Sequence, residues 1–471
     1  MSRLLAAAVM SVSAAPWASA DTDPASNLRE PLPDRWLDYE HFNQQLPSDD
    51  LWWRHFDDRV LDSLISVGID NNYDVLMAAR RIEIARQQLN MARSGYFPTL
   101  DFSGGWTRSR SSGMTGPVAS DAATASYFQL GINMSWEIDV FSKIASKARQ
   151  KKELYNASRA EFAAGMITLC ANIAKAYIDL RVYQQQWQVA TEHIASQEKI
   201  LRITEARYDA GLASMLDVTQ ARVVYNTTLS TMPGLESAIH TTINSIAVMV
   251  GRYPDDLYAL LERPAPMPEC RQIVPVGVPA DILRRRPDIV AAEYQLAAAA
   301  SEVGIARKDF LPTLSLNGSI GTAAHDAGDL FSHRSLTYTI APTLTWNIFS
   351  GLARRYNVVA AREQMESQIE SYNLTVLNAV KEVDGCISVY ESTIRTMEMI
   401  QRVIDESRKA LDLSLDLYKR GLSPFNNVVT AQMDLLSNQN SLVAAQGKAL
   451  AAHVALYEAL GGGWDQTLPS K

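Results

Sequence analysis

After its first twenty residues the 471-residue chain has no run of about 18 apolar residues, so no membrane-spanning helix is encoded. Cysteine is scarce. Cys170, Cys270 and Cys386 are odd in number and far apart, which reads as buried free thiols rather than a disulfide framework. No basic excess exists either: the formal charge is −8, which excludes the basic footprint of a nucleic-acid partner. No nucleophile elbow, phosphate loop, zinc motif or dinucleotide fingerprint occurs, so neither catalysis nor a cofactor is expected. The seven histidines are scattered, and His325 and His333 share a loop without the tight ligand cluster a metal needs.

What is present begins with an export signal. Arg3, the apolar stretch Leu4–Val12 and the small-residue site Ala18-Ser19-Ala20 predict a leader over 1–20, cleaved before Asp21. No cysteine lies near that site, so a lipid on an N-terminal cysteine is not expected. Hydrophobic content of 47% and charged content of 20% read as folded. An exported chain without an apolar helix crosses a membrane, if it does, with strands.

The chain states one plan twice. Tyr208-Asp209-Ala210-Gly211-Leu212-Ala213-Ser214 returns as Tyr418-Lys419-Arg420-Gly421-Leu422-Ser423-Pro424, and Trp136 returns as Trp346, both 210 residues later. Each copy reads helix, strand, loop, strand, very long helix, glycine turn, helix. The predicted organisation is an N-terminal segment 21–56, a first repeat 57–250 and a linker 251–286. A second repeat 287–460 and a tail 461–471 follow. Strands fall at about 97–140 and 311–349, with hairpin tips at about 208–216 and 418–426. One helix is expected from Asp57 to Arg93 and another from Pro287 to Asp309, and the prolines from Pro254 to Pro279 mark the linker.

Phe128, Leu130, Ile132, Met134, Trp136 and Ile138 alternate with polar residues. So do Leu336, Tyr338, Ile340, Pro342, Leu344, Trp346 and Ile348. Period two over ten residues with aromatics near the ends is the pattern of a transmembrane barrel strand. Four strands cannot close a barrel, because the smallest spanning ones have about eight. Open edges leave backbone groups unpaired in hydrocarbon at several kcal/mol each. Two such edges exceed the ~5–15 kcal/mol by which a whole domain is stable. Copies must therefore pool strands; eight, twelve or sixteen all satisfy the argument. Behind the strands, Ala176, Leu180, Tyr183, Trp187, Ala190, Ile194, Gln197, Leu201, Thr204 and Tyr208 form a 4-3 seam. It repeats from Cys386 to Tyr418 and predicts helices wrapped into a stiff tube.

Leu51-Trp52-Trp53-Arg54-His55-Phe56, Trp136-Glu137-Ile138-Asp139-Val140-Phe141, the segment from Pro279 to Ile289 containing Arg284-Arg285-Arg286-Pro287-Asp288, and Leu460-Gly461-Gly462-Gly463-Trp464 carry a resemblance. The chain resembles the TolC-type outer-membrane efflux proteins, most closely their NodT-like branch. That resemblance implies an α+β membrane protein: a homotrimer whose twelve-stranded β-barrel, four strands per protomer, continues into a long periplasmic α-helical barrel. It further implies a periplasmic adaptor and an inner-membrane transporter as partners, contact with outer-membrane lipid, and passive conduction of drugs or toxic compounds to the exterior. By the same resemblance the adaptor docks on Gly211, Leu212, Ala213, Gly421, Leu422 and Ser423, and Asp217 and Tyr418 form the periplasmic gate. Asn427 and Thr430 stand where the second copy would carry its acid, so an acid ring draws on Asp217 alone. Tyr418 as plain seam packing and Asp217 as a helix N-terminal residue are the structural alternatives. Arg284, Arg285 and Arg286 are read as pairing with carboxylates. Other functions remain open: a duct for secreted polypeptides or metal ions, or a periplasmic coiled-coil scaffold without a pore.

Overall fold

The computed structural model describes residues 28–29, 31–33, 51–110, 112, 124–268 and 285–462. The leader over 1–20, Cys270, Arg284, Gly463 and Trp464 lie outside the described residues. The chain divides into two compact units. One comprises Met1–Pro31, Pro98–Gln150 and Glu293–Asn373, the other Leu32–Phe97, Lys151–Ala292 and Leu374–Lys471.

The first unit is built on strands β1 (Thr99–Arg110), β2 (Thr124–Ile138), β3 (Thr313–Ala324) and β4 (Leu336–Thr345). They form one antiparallel sheet in the order β1-β2-β3-β4. β1–β2 and β3–β4 are sequence neighbours, whereas β2 and β3 pair across the whole first helical hairpin. Every ladder joins residues of like parity without a bulge: Phe102 opposite Ile132, Ile132 opposite Ile320, Ile320 opposite Tyr338. The even-numbered side is therefore mainly apolar from Leu100 and Phe102 to Ile340 and Leu344, with Arg108, Arg110, Thr124 and Ser126 at its strand-connection end and Thr322 on β3. The odd-numbered side carries rows such as Asp101, Asn133, Ser319 and Thr339. Phe102, Tyr338 and Ile340 are three-quarters exposed in the single chain. β1 and β4 are its open edges.

β4 stops at Thr345, short of the alternation that reaches Ile348. The residue facing position 346 would be Pro312, which has no N–H to extend the ladder. Trp346 instead turns its indole N–H onto the carbonyl of Phe310 at 2.9 Å. Below the strands in the same unit, the Asp139 carboxylate accepts from the amides of Ile144 (3.0 Å) and Ala145 (2.9 Å). It thereby starts α3 (Lys143–Asp209). Lys143 pairs with Asp309 at 2.6 Å beyond the end of α6 (Pro287–Lys308).

The second unit is helical. α1 (Arg59–Asn71), α2 (Tyr73–Ser94), α4 (Met215–Met249), α5 (Pro254–Leu261) and α8 (Phe425–Ala459) belong to it, with most of α3 and of α7 (Ala353–Lys419). α3 and α7 are each 67 residues long, and α4 and α8 are each 35. The long helices thus keep equal lengths in the two copies. Along both predicted seams every position is buried or half-buried except Tyr208.

One expectation is corrected here. The helix expected from Asp57 to Arg93 is two helices, broken at Asn72. The Asn72 side chain caps α2 by accepting from Val75 N (3.0 Å) and donates to the Met249 carbonyl (2.8 Å). A tertiary bond and a local cap together outweigh one helical turn. The segment expected as the linker begins with a short helix, α5, with Pro254 in its first turn, where a missing N–H costs nothing.

The core of this unit joins the turn Trp52–Phe56 to α1, α3, α4 and α8. Trp52, Leu61, Ile65, Ile173, Ile178, Leu180, Ile243 and Leu456 are all fully buried. Each contributes on the order of 1.5–3 kcal/mol. Polar groups inside it are linked in series. Tyr177 donates to Asp58 (2.6 Å), Arg181 donates to Tyr177 (2.7 Å) and Gln184 (2.6 Å), and Gln184 donates to the Leu261 carbonyl (2.6 Å). Arg286 ties two helix ends together by donating to both Asp288 oxygens, to Glu382 (2.8 Å) and to the Ala459 carbonyl (2.7 Å). The carboxylate role expected of the arginine run is seen at Arg286. Cys170 is buried and Cys386 partly so, and burial raises their thiols to about 12 and about 11.

His453 sits among the rings of Phe56, Tyr390 and Tyr457, 1% exposed. Burial first, and the neighbouring His55 second, lower its pKa to about 4. The unfolded chain takes up a proton below about pH 6.5 that the folded core refuses until about 4. Stability is therefore lost as pH falls through that window, at up to about 1.4 kcal/mol per unit. Thermal unfolding followed by circular dichroism in detergent is expected to show a larger drop between pH 7.5 and 5 for the native chain than for His453→Phe.

Candidate functional site: the hairpin tips

Both tips fold by the same backbone rule. In the first, Leu212 N donates to Arg207 O and Gly211 N to Tyr208 O, each at 2.8 Å. In the second, Leu422 N donates to Leu417 O and Gly421 N to Tyr418 O, each at 2.9 Å. This paired closure needs one left-handed residue, and Gly211 (φ 72°) and Gly421 (φ 76°) supply it. The leucine that follows is left outward: Leu212 is 67% exposed and Leu422 72%. Ala213 and Ser423 are half-buried.

The side chains then part company. Tyr418 is 4% exposed and packs on Phe425, with ring centroids 5.0 Å apart, in a cluster with Ile200, Ala221 and Val428. Its counterpart Tyr208 is 44% exposed, and Met215, the counterpart of Phe425, is 50% exposed. Tyr418 and Asp217, singled out together from the sequence, do meet: the phenol donates to Asp217 Oδ2 at 3.3 Å. Burial, and then the Asp217 carboxylate, raise the phenol's pKa, so it keeps its proton for this bond.

Asp217 has a second task. Ser214 Oγ caps α4 by accepting from Asp217 N (3.2 Å) and donates to Asp217 Oδ1 (2.9 Å). One carboxylate thus serves a helix cap and an interhelical bond. The second tip has Pro424 at the cap position with no side-chain cap, and Asn427 donates to Ser423 Oγ at 2.9 Å.

Residues not singled out from the sequence complete the arrangement. The Arg207 guanidinium lies 5.1 Å over the Tyr418 ring and donates to the Lys419 carbonyl at 2.7 Å, fastening the end of α3 to that of α7. Arg222 pairs with Glu205 at 2.7 Å. The available signal was the comparison of copies, since Arg207 stands opposite Leu417 and Phe425 opposite Met215. The tip offers a salt-bridged, hydrogen-bonded latch on one side and exposed apolar side chains on the other. Among the described residues no group of three His, Cys, Asp or Glu side chains could hold a metal.

The first unit contributes a second surface. Its odd-numbered face holds a concavity of about 280 Å³ lined by Asp101, Asn133, Ser135, Asn317, Ser319 and Thr339 among others. Ser135 donates to Asn317 (3.1 Å) and Asn133 to Ser103 (2.9 Å), so the face is cross-linked yet wettable.

A sequence model described as outer membrane efflux protein matches residues 64–252 and 278–462. The solvent efflux pump outer membrane protein SrpC of Pseudomonas putida is 30% identical over 410 residues, 87% of this chain and 86% of its own. The cation efflux system protein CusC of Escherichia coli is 27% identical over 417 residues, 88% of each chain. Among solved structures, the outer-membrane channel OprN is similar with a TM-score of 0.86 at 27% identity, over 93% of this chain and 98% of its own.

At Gly211 and Gly421 an added methyl meets nothing within 4 Å, so only φ opposes it. Gly211→Ala and Gly421→Ala are each expected to cost about 1 kcal/mol locally. Hydrogen exchange of the adjoining helix-end amides should accelerate roughly fivefold.

Proposed function

The chain belongs to the outer membrane efflux protein family, and we infer that it is the exit duct of a tripartite pump, passing small toxic molecules from the periplasm to the exterior. It is an outer-membrane channel with a periplasmic part. The observation that carries the conduction reading is the parity of the sheet: across all four strands the even-numbered face is mainly apolar and the odd-numbered face mainly polar. Such a sheet suits lipid outside and water inside. Its open edges at β1 and β4 favour closure with further copies, and three give a twelve-stranded barrel.

A periplasmic adaptor and an inner-membrane transporter supply the docking and the energy on this reading. Support comes from the exposed Leu212 and Leu422 at the tips. The channel itself performs no catalysis. Solvent and drug efflux are favoured as cargo by the solvent-pump relative at 30% identity. A cation cargo is the second reading, and the cation-efflux relative at 27% supports it.

Deletion of the gene, followed by a susceptibility panel of solvents, drugs, detergents and metal salts, separates them. Sensitisation to organic compounds alone is expected. Sensitisation confined to metal salts would establish the second reading, and a soluble protein after membrane fractionation would overturn the duct altogether.

Asp217 and Tyr418 are read as gate residues because their bond joins α4 to the end of α7 at the tips. Replacing both, as Asp217→Asn with Tyr418→Phe, is expected to raise single-channel conductance in planar bilayers. Unchanged conductance would leave the pair a structural latch only.

A further inference from the structure

The four strands contain only four Asp, Glu, Lys or Arg side chains, and these are sorted by face. Asp101 and Glu137 are odd-numbered and share the polar side. Arg108 and Arg110 are even-numbered and share the apolar side with Leu100, Phe102 and Trp106. Both arginines lie at the end of β1 that leads to the strand connections, away from the end that leads to the helices. Both are exposed.

Arginine on a lipid-facing strand costs ~2–4 kcal/mol at the bilayer midplane and ~0–1 near the interface. The position of these two is therefore informative. Trp106 stands opposite Phe128 with ring centroids 6.3 Å apart, the kind of aromatic pair that marks an interface. Arg108 follows one two-residue step further out and Arg110 a second, each step being roughly 6.8 Å. Opposite them on the same face are Ser126 and Thr124, which add hydroxyl donors and no charge. Among the described residues no carboxylate pairs with either guanidinium. The face thus passes outward from aliphatic to aromatic to hydroxyl and guanidinium, which is the profile of an amphiphile with an anionic head.

We propose that Arg108 and Arg110, with Ser126 and Thr124, form a docking surface for the phosphate groups of a phosphorylated glycolipid in the outer leaflet. Guanidinium forks match phosphate oxygens in pairs, and each basic residue at a membrane surface attracts anionic lipid. The Trp106–Phe128 pair meets the boundary of the lipid's apolar part. The proposal rests on the reading of the even-numbered face as lipid-facing.

The test uses full-length trimers in detergent, titrated with bisphosphorylated lipid A or its dephosphorylated form and read by native mass spectrometry. The native protein should hold the phosphorylated lipid at least tenfold more tightly. The double variant Arg108→Gln, Arg110→Gln should lose that preference while remaining trimeric, and Arg108→Lys, Arg110→Lys should keep part of it. Millimolar inorganic phosphate should not displace the lipid. Equal binding of both lipids by the native protein, an unchanged preference in the glutamine variant, or displacement by inorganic phosphate would each overturn the proposal. Quenching by brominated acyl chains, compared between the native protein and Trp106→Phe, tests the underlying reading separately. Absence of a Trp106 contribution refutes the lipid-facing assignment; its presence without a phosphate preference refutes the docking surface alone.

Discussion

A backbone N–H or C=O in hydrocarbon must find a partner, and that requirement shapes more of this molecule than any single side chain. Among the described residues one chain supplies four strands and leaves β1 and β4 with open rows of donors and acceptors. No arrangement of those four strands removes both edges, so function as a pore belongs to an assembly of copies. The unbroken parity of the three ladders follows from the same demand. A single bulge would bring polar residues such as Asn133 or Ser319 to the apolar side over the rest of its strand. The paired long helices of the two copies match at 67 and 35 residues.

The helical unit meets a different constraint. Several of its buried polar groups are linked in chains, so that removal of one member strands the next. Arg181 shows this: its guanidinium is 2% exposed and leans on Tyr177, Gln184 and the Arg263 carbonyl. Tyr177 in turn needs Asp58, which also caps α1 through the amides of Val60 and Leu61. The start of α1 and α3 are therefore joined by one polar chain, while Trp52 of the N-terminal turn packs on Phe56 and Tyr457. A buried charge of this kind adds little net stability but penalises every packing that leaves it unpaired.

Legibility in the sequence divides along these lines. The strands were readable because a lipid-and-water sheet forces period two on every residue, and the repeat was readable because helix lengths are held fixed. The break at Asn72 was not, since its partner Met249 lies 177 residues away. The end of β4 was not, because the missing donor belongs to Pro312, just ahead of β3. The shared seam register was visible, yet the fates of Tyr208 and Tyr418 were not. Those depend on whether the residue seven positions on is Met215 or Phe425, a comparison that gains meaning only once the two helices are known to cross there. Local pattern thus reported whatever a continuous environment imposes, and missed what one distant atom decides.

The divergence of the two tips has a physical logic of its own. Identical backbone closures at Gly211 and Gly421 give both hairpins the same turn, so the difference is carried by side chains alone. At the second tip Tyr418 and Phe425 turn inward, and Arg207 and Asp217 of the first copy close on Tyr418 from two sides. An aromatic pair held this way fixes the end of α7 against α3 and α4. At the first tip the equivalent Tyr208 and Met215 are freed from that duty and stand exposed beside Leu212 and Leu216. Duplication has thus been followed by divergence of side chains alone: the second tip packs its aromatics inward, the first leaves their counterparts exposed, and both keep a leucine outward.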